Sequence, residues 1–251
     1  MGHNYKIILQ YEGTRYNGWQ KQGNTENTIQ GRLEVVLGRM AGAPVKVHGS
    51  GRTDAGVHAM GQVANFLLDE YWEPKQVTEY LNQYLPEDIA VLRTEQAPER
   101  FHSRLHAAGK IYQYQIETRQ RRDVFQRRYV YGLGKPLDVK AMKAAAGFLC
   151  GTHDFKSFCG NPRMKKSTVR TIQAIDVKKE PNGSVVCLTF EGNGFLQYMV
   201  RIMTGTLIEA GLGERRPEQI AGILEAGDRK MAGFTAPPEG LCLMEVKYGE
   251  L

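Results

Sequence analysis

The 251-residue sequence contains no long apolar run and only four cysteines. No stretch approaches the roughly 20 consecutive apolar residues that a membrane-spanning helix needs. The first residues, Met1 to Asn4, lack the apolar core of a signal peptide. The cysteines are widely spaced in a chain long enough to be stable without disulfides, so we expect reduced thiols. These absences predict a soluble cytoplasmic protein with no membrane segment.

Two common nucleotide-binding signatures are missing as well. The glycine-rich segment His48–Ala59 places Asp54 where a dinucleotide-binding motif has its third glycine, and no helical pattern follows. The Gly-Lys-Ser or Gly-Lys-Thr of a P-loop occurs nowhere in the chain. The sequence therefore predicts no small-molecule cofactor.

Ligand sets for a metal ion are incomplete. Cys150, His153 and Cys159 lie close together in the sequence, but no second pair of cysteines or histidines completes a tetrahedral zinc site. The acidic stretch Asp69–Glu73 is typical of a solvated surface rather than of the clustered carboxylates with which a nuclease holds magnesium. We therefore expect neither a zinc site nor a metal-dependent nuclease.

Basic residues are in moderate excess, and many are clustered. Lys and Arg exceed Asp and Glu by 33 to 27, and the net charge of +6 favours polyanionic partners. One cluster lies within Arg119–Arg128, interleaved with aromatic residues, and a second lies within Arg163–Arg170. Both suit RNA, since cations neutralise phosphates and rings stack on bases, but ordinary solvated loops have the same composition. The candidate contacts to an RNA backbone are Arg121, Arg122, Arg163, Lys165 and Lys166.

Hydrophobic periodicity predicts a repeated α+β order. Short apolar segments such as Tyr5–Tyr11 and Val45–Val47 predict strands, and a helix with apolar residues at helical spacing is expected between Thr28 and Gly42. From Lys110 the order begins again, with one additional helix. Each half reads strand, helix, strand, strand, helix, strand, which is the ferredoxin-like arrangement.

We therefore predict an α+β protein with two ferredoxin-like (βαββαβ) halves whose mainly antiparallel sheets form a central cleft, where binding sites often lie. The predicted N-terminal half covers residues 1–105 and carries the glycine-rich loop. The predicted C-terminal half covers residues 106–251 and completes the cleft. Fold alone does not assign an activity to such halves.

The segment His48–Ala59 has the composition of an active-site loop. Glycines permit close approach of the backbone to a ligand, and Arg52 and Asp54 place a cation and a carboxylate two positions apart. The local alternative is an Asx-turn, in which Asp54 bonds only the backbone of its own loop. The loop composition by itself leaves both interpretations open.

Longer motifs resemble one enzyme family, the tRNA pseudouridine synthase A family. Residues Gly51–Ala59, Gly-Arg-Thr-Asp-Ala-Gly-Val-His-Ala, resemble its catalytic signature. Similar segments follow in the expected order over nearly the whole chain, at 11–20, 101–104, 110–114, 151–155, 194–201 and 240–243. Ser103 and Cys242 depart from the residues commoner in the family, but neither is a proposed catalytic group.

The resemblance implies that a homodimer isomerises uridine to pseudouridine at positions 38 to 40 of the tRNA anticodon stem-loop, without a cofactor. It implies that Asp54 is the nucleophile, and a carboxylate with a reference pKa near 3.9 is anionic at neutral pH. Attack on uracil C6, attack on ribose C1′ and removal of the C2′ proton all remain compatible with one aspartate. The alternative is a non-catalytic RNA-binding protein on the same scaffold.

Two further catalytic residues are implied by the resemblance. Tyr112 would stack on the target base and exchange a proton, whereas its plain alternative is strand packing beside Tyr114. Arg201 would pair with Asp54, and its alternative is a surface helix arginine.

The remaining implied residues bind the substrate. Arg52 would assist extrusion of the target base, and Leu241 would line the pocket. His58 and Arg104 belong to the matching motifs and are candidate RNA contacts, although a structural histidine held by local hydrogen bonds is an equal reading of His58.

Overall fold

The computed structural model describes residues 2–121, 123–161, 163–181 and 183–249 as a mixed α+β protein. The chain divides into two compact units. Unit 1 comprises the residues up to Ala108 together with those from Cys242 onward, and unit 2 comprises Gly109–Leu241. Over the described ranges, no helix is long and apolar enough to cross a membrane.

Unit 1 contains the following elements: β1 (His3–Tyr11), α1 (Ile29–Ala41), β2 (His48–Gly49), β3 (His58–Leu68), α2 (Pro74–Tyr84) and β4 (Ile89–Gln96). Strand β1 pairs antiparallel with both β3 and β4, and β2 pairs antiparallel with β3. The order β4-β1-β3-β2 is that of a ferredoxin-like sheet. Strand β10 (Leu241–Tyr248) adds a parallel pairing to β3, with Cys242 opposite His58.

Local sequence explains the elements of unit 1. The Thr28 hydroxyl accepts the backbone N–H of Gly31 and caps α1, as predicted. Alternate residues of β1 are buried, and Leu33 and Leu37 of α1 are buried as well, so one face of each element contributes to the core. Pro74 begins α2 at a position where its missing N–H costs nothing.

The strands and α-helices of unit 2 are β5 (Ala107–Glu117), β6 (Tyr131–Gly132), α3 (Val139–Gly147), β7 (Gly151–Asp154), β8 (Val169–Lys179), β9 (Val185–Gly192), α4 (Met199–Gly211) and α5 (Gln219–Ala226). Strand β9 pairs antiparallel with β5 and β8, and β8 pairs antiparallel with β7. Strand β6 lies parallel beside the end of β5. The α+β class with mainly antiparallel sheets is therefore confirmed.

Some boundaries differ from the sequence-based predictions. The strand predicted over Val45–Val47 is instead the two-residue β2, His48–Gly49, while Val45 and Val47 are buried outside any strand. Burial of an apolar side chain does not require a strand, and periodicity cannot distinguish the two cases over three residues. The predicted second half ran from residue 106 to the end, but the residues from Cys242 onward group with unit 1 because β10 pairs with β3.

Candidate active site

The glycine-rich loop between β2 and β3 is fixed at its start by Gln62, which is fully buried on β3. The Ser50 hydroxyl donates to the Gln62 side-chain oxygen at 2.7 Å, and the Gln62 amide donates to the Gly51 carbonyl at 3.1 Å. The Ser50 N–H also donates to the Val63 carbonyl at 2.8 Å. Buried hydrogen bonds of this kind are costly to break, so the loop leaves β2 along a fixed path.

Tyr11, at the end of β1, holds the loop one residue before Asp54. Its hydroxyl lies 2.8 Å from the Thr53 hydroxyl and accepts the Gln62 amide at 3.3 Å. Tyr11 is buried, and burial raises the pKa of its phenol. Tyr11 therefore stays protonated and can exchange hydrogen bonds with both partners.

The segment from Glu12 to Gln20 braces the other side of the loop. The Trp19 N–H donates to the Thr53 carbonyl at 3.0 Å, and the Gly56 N–H donates to the Tyr16 carbonyl at 3.4 Å. Two glycines make this approach sterically feasible. A Cβ on Gly13 would lie 2.0 Å from the Val57 carbonyl oxygen, and one on Gly18 would lie 2.7 Å from the Thr53 oxygen. Gly18 also has a φ of +88°, which favours glycine.

Asp88, just before β4, supports this bracing segment in turn. Its carboxylate accepts the Tyr16 hydroxyl at 2.5 Å and the Arg15 guanidinium at 2.6 and 2.9 Å. Burial raises the pKa of Tyr16, and the hydrogen bond to Asp88 raises it further. The loop is thus connected through hydrogen bonds to β1, β3 and the start of β4.

Asp54 and Arg52 lie on this braced loop. Asp54 is half-buried, and its backbone carbonyl accepts the Val57 N–H at 3.2 Å to close a turn. Arg52 is exposed, and its Nε donates to the Gln20 side-chain oxygen at 3.1 Å. The loop therefore carries the Asp54 carboxylate and, two residues earlier, the Arg52 guanidinium, which is oriented by its hydrogen bond to Gln20.

His58 and Arg104, the two candidate RNA contacts near the loop, differ in exposure. His58 is buried at the start of β3, and its Nδ1 accepts the Gly13 N–H at 3.0 Å, 3.5 Å from a Glu12 carboxylate oxygen. In the neutral form its proton is therefore on Nε2. Arg104 has an exposed side chain, and its N–H donates to Nδ1 of His102 at 3.1 Å.

Tyr112 and Leu241 are buried residues of unit 2. Tyr112 lies on β5, opposite Phe190 of β9, and its ring meets the ring of Phe195 edge-on at 5.2 Å. Leu241 is 4% exposed and begins β10. Strand packing, the plain alternative for Tyr112, is thus part of its environment.

Arg201 is positioned by the segment that precedes β10. It is the third residue of α4, its Nε donates to the Ala236 carbonyl at 2.7 Å, and its own carbonyl accepts the Ala236 N–H at 3.0 Å. Its guanidinium lies 5.1 Å from the centre of the Tyr198 ring. Tyr198 has a φ of 59°, which is uncommon for a residue with a side chain and is found disproportionately at functional sites. The neighbouring Pro237 carbonyl accepts the Tyr114 hydroxyl at 2.7 Å.

Four of the five predicted RNA-backbone residues lie on exposed segments of unit 2. Arg121, Arg163, Lys165 and Lys166 are exposed, and Arg122 lies outside the described residues. Phe125, beside the first cluster, is 85% exposed. Cations and an exposed ring on one segment suit RNA, as the composition predicts.

Several residues that shape the loop were not singled out by sequence reasoning. Gln62, Thr53 and Asp88 make the hydrogen bonds described above, and Tyr11 and Trp19 entered only as parts of a motif. One signal existed, because a glutamine within the apolar run of β3 suggests a buried polar contact. Among the residues that the structure describes, no group of three or more His, Cys, Asp or Glu side chains is arranged to hold a metal ion.

Comparison with known proteins identifies the family. The model of the family described as tRNA pseudouridine synthase matches residues 7–105 and 145–249. The chain is 47% identical over 246 residues, 98% of its length and 100% of the relative's, to a protein named tRNA pseudouridine synthase A from Bacillus sp. strain KSM-64. It is 44% identical over 243 residues, 97% of its length and 98% of the relative's, to a protein of that name from Geotalea uraniireducens. With matches of this extent on both units, the chain belongs to the tRNA pseudouridine synthase family, whose members are isomerases.

Proposed function

We propose that this protein isomerises uridine to pseudouridine at positions 38 to 40 of the tRNA anticodon stem-loop, with Asp54 as its nucleophile and without a cofactor. The reaction breaks the bond from uracil N1 to ribose C1′ and joins C1′ to C5. The proton lost from C5 is balanced by one gained at N1, so no oxidant, reductant or transferred group is consumed.

The observation that carries the proposal is the bracing of the Asp54 loop. Thr53, which precedes Asp54, is held through its side chain by Tyr11 and through its carbonyl by Trp19. Such preorganisation is what a nucleophile needs to meet a reacting atom without a large entropic cost. An Asx-turn on an ordinary surface loop has no need of a network of buried hydrogen bonds.

The other site residues are given roles that suit their surroundings. Tyr112 would stack on the extruded uracil, and Leu241, buried at the start of β10, would line the pocket. Arg201, whose Nε is fixed by the Ala236 carbonyl, would direct its remaining N–H groups to Asp54. Arg52, on the exposed side of the loop, would assist extrusion of the base.

Outside the pocket, the protein would bind tRNA mainly through electrostatic contacts. Arg104 and His58 would contact the substrate near the loop. Arg121, Arg122, Arg163, Lys165 and Lys166 would contact tRNA phosphates, which position a nucleic acid without specifying its sequence. We also propose that the protein acts in the cytoplasm as a homodimer.

One experiment tests reaction and position together. The protein is incubated with unmodified tRNA transcripts, and pseudouridine is mapped by carbodiimide treatment and primer extension, with and without a chelator. We expect stops at positions 38 to 40 in both samples. Tight tRNA binding without any stop would favour the non-catalytic RNA-binding alternative, and strand cleavage that the chelator prevents would indicate a nuclease.

A further inference from the structure

A chain of side-chain hydrogen bonds runs from Arg52 into helix α1. Arg52 Nε donates to Gln20 Oε1 at 3.1 Å, and Gln20 Nε2 donates to Gln30 Oε1 at 2.8 Å. Gln30 Nε2 then donates to Glu34 Oε1 at 3.0 Å and to the Val47 carbonyl at 3.1 Å. We call these contacts the Arg52 relay.

The direction of every bond in the Arg52 relay is fixed by its two ends. A guanidinium only donates hydrogen bonds, and a backbone carbonyl only accepts them. Gln20 and Gln30 must therefore each accept a hydrogen bond from the neighbour nearer to Arg52 and donate one to the neighbour farther from it. An amide meets both demands, whereas a carboxylate only accepts and an alkyl group does neither.

Gln30 also fixes the backbone on which Gln20 is mounted. Its N–H donates to the Trp19 carbonyl at 3.0 Å, and the Lys21 N–H donates to its Oε1 at 3.0 Å. The Trp19 N–H in turn donates to the Thr53 carbonyl at 3.0 Å. Because Gln30 is only 7% exposed, its amide is immobilised by packing as well as by these bonds.

Arg52 itself is exposed and has a long, flexible side chain. Holding such a chain in one orientation costs conformational entropy, which a preorganised acceptor offsets before the substrate arrives. We infer that Gln30 is a positioning residue that orients Gln20, and through it the Arg52 guanidinium, for extrusion of the target base. This inference rests on the proposed function, because extrusion is the role proposed there for Arg52.

The test compares Gln30→Met, Gln30→Glu, Arg52→Ala and the Arg52→Ala, Gln30→Met double variant with the unaltered protein. The substrate is a tRNA anticodon stem-loop that carries 2-aminopurine beside the target uridine. The fluorescence of 2-aminopurine rises when its stacking on the neighbouring base is lost. Stopped-flow fluorescence gives the extrusion rate, and equilibrium binding gives Kd. Val36→Ala, on the same helix but outside the Arg52 relay, controls for a general loss of stability.

Gln30→Met loses the hydrogen bond that Gln30 accepts from Gln20, so extrusion should slow about 5- to 10-fold, with Kd changed less than about 2-fold. Gln30→Glu can still accept that bond but cannot donate to Glu34 and Val47, so it should slow extrusion less. Val36→Ala should extrude at the unaltered rate. In the Arg52→Ala background, Gln30→Met should cause no further slowing, since the residue acts through Arg52. A merely structural role would instead give equal slowing by Gln30→Met in both backgrounds, and that result overturns the inference. Full-rate extrusion by Gln30→Met overturns it as well.

A second readout separates this inference from the proposed function. The Nε–H proton of Arg52 is followed by NMR in the free protein. Its exchange with water should accelerate about 5-fold in Gln30→Met, because Gln20 loses its hydrogen bond to Gln30 and holds the Arg52 Nε–H less firmly. Unchanged exchange overturns the inference even if the enzyme makes pseudouridine. Accelerated exchange in a protein that makes no pseudouridine supports the positioning and refutes the proposed function. An extrusion rate unaffected by Arg52→Ala overturns both the role of Arg52 and the inference built on it.

Discussion

The hydroxyl groups of Tyr11 and Thr53 lie 2.8 Å apart, and both residues are buried. This contact joins the last residue of β1 to the residue that precedes Asp54. The same Tyr11 hydroxyl accepts the Gln62 amide at 3.3 Å, so two neighbouring strands converge on the loop. The position of the candidate nucleophile is therefore set by the sheet rather than by the loop alone.

Gly18→Ala should damage both stability and turnover. The new Cβ would lie 2.7 Å from the Thr53 oxygen, in a residue with a φ of +88°. We expect the free energy of unfolding to fall by about 1 to 3 kcal/mol, since both strain and steric overlap oppose the native loop. Urea denaturation and single-turnover pseudouridine formation measure the two effects. Gly23→Ala is the matched control, because its Cβ would meet nothing within 4 Å, and equal effects at both positions would contradict the bracing of the loop.

Stability should decline at alkaline pH more steeply in the unaltered protein than in Tyr11→Phe. Burial raises the pKa of Tyr11 in the folded state above the value of about 10 for an unfolded tyrosine. The folded state thus retains a proton that the unfolded state loses, and stability falls as pH rises above about 10. Urea midpoints at about pH 8 and about pH 10.5 compare stability below and just above the pKa of an unfolded tyrosine, where the decline begins. If the urea midpoint falls by the same amount between the two pH values in the unaltered protein and in Tyr11→Phe, then Tyr11 is not the titrating group.

Salt should weaken tRNA binding strongly. If the exposed cations neutralise about five phosphates, log K should fall with log salt at a slope steeper than about −3. Replacing Arg121, Arg163, Lys165 and Lys166 with Ala should reduce the slope without changing which uridine is modified. Lys75→Ala, on an exposed face of α2 outside both clusters, serves as the control. A salt-independent affinity would refute the electrostatic account.

Tyr112→Phe should reduce turnover more than tRNA affinity. The ring that meets Phe195 is kept, so stacking persists, but the hydroxyl can no longer exchange a proton or a hydrogen bond. Single-turnover rates and binding curves on one preparation separate the two effects. Full turnover in this variant would limit Tyr112 to stacking.

Much of the fold follows from short-range patterns in the sequence. The Thr28 cap, the start of α2 at Pro74 and the alternation of β1 were all predictable, because each depends on residues adjacent in the chain. The pairing of β10 with β3 was not predictable, because it joins residues 184 positions apart, such as Cys242 and His58, and leaves no local periodicity.

The candidate site was only partly predictable for the same reason. Asp54 and Arg52 stand out by composition and by family resemblance, but their supports are distant in sequence. Asp88 reaches the loop through Tyr16, and Gln62 reaches it through Ser50 and Gly51. These polar residues reach the loop because the fold brings them close to it. Contacts between residues so far apart in the chain leave no spacing pattern in a single sequence.

The most direct test of the proposed mechanism is Asp54→Asn. The substitution keeps the shape of the side chain but removes the anion that all three mechanisms require as nucleophile or base. Turnover should fall at least about 10⁴-fold, equivalent to ~5.5 kcal/mol of transition-state stabilisation. Affinity for tRNA should survive, because removing one negative charge slightly reduces repulsion of the phosphates.

Three measurements on one preparation make this test decisive: melting temperature, tRNA binding and pseudouridine formation. If Arg201 is the partner of Asp54, as we propose, the variant leaves a cation unpaired and its melting temperature should drop. Asp69→Asn, at an exposed acidic residue after β3, is the matched control and should keep full activity. Retained synthase activity in a folded, RNA-binding Asp54→Asn protein would falsify the catalytic assignment, and the loop would then be an Asx-turn with no chemical role.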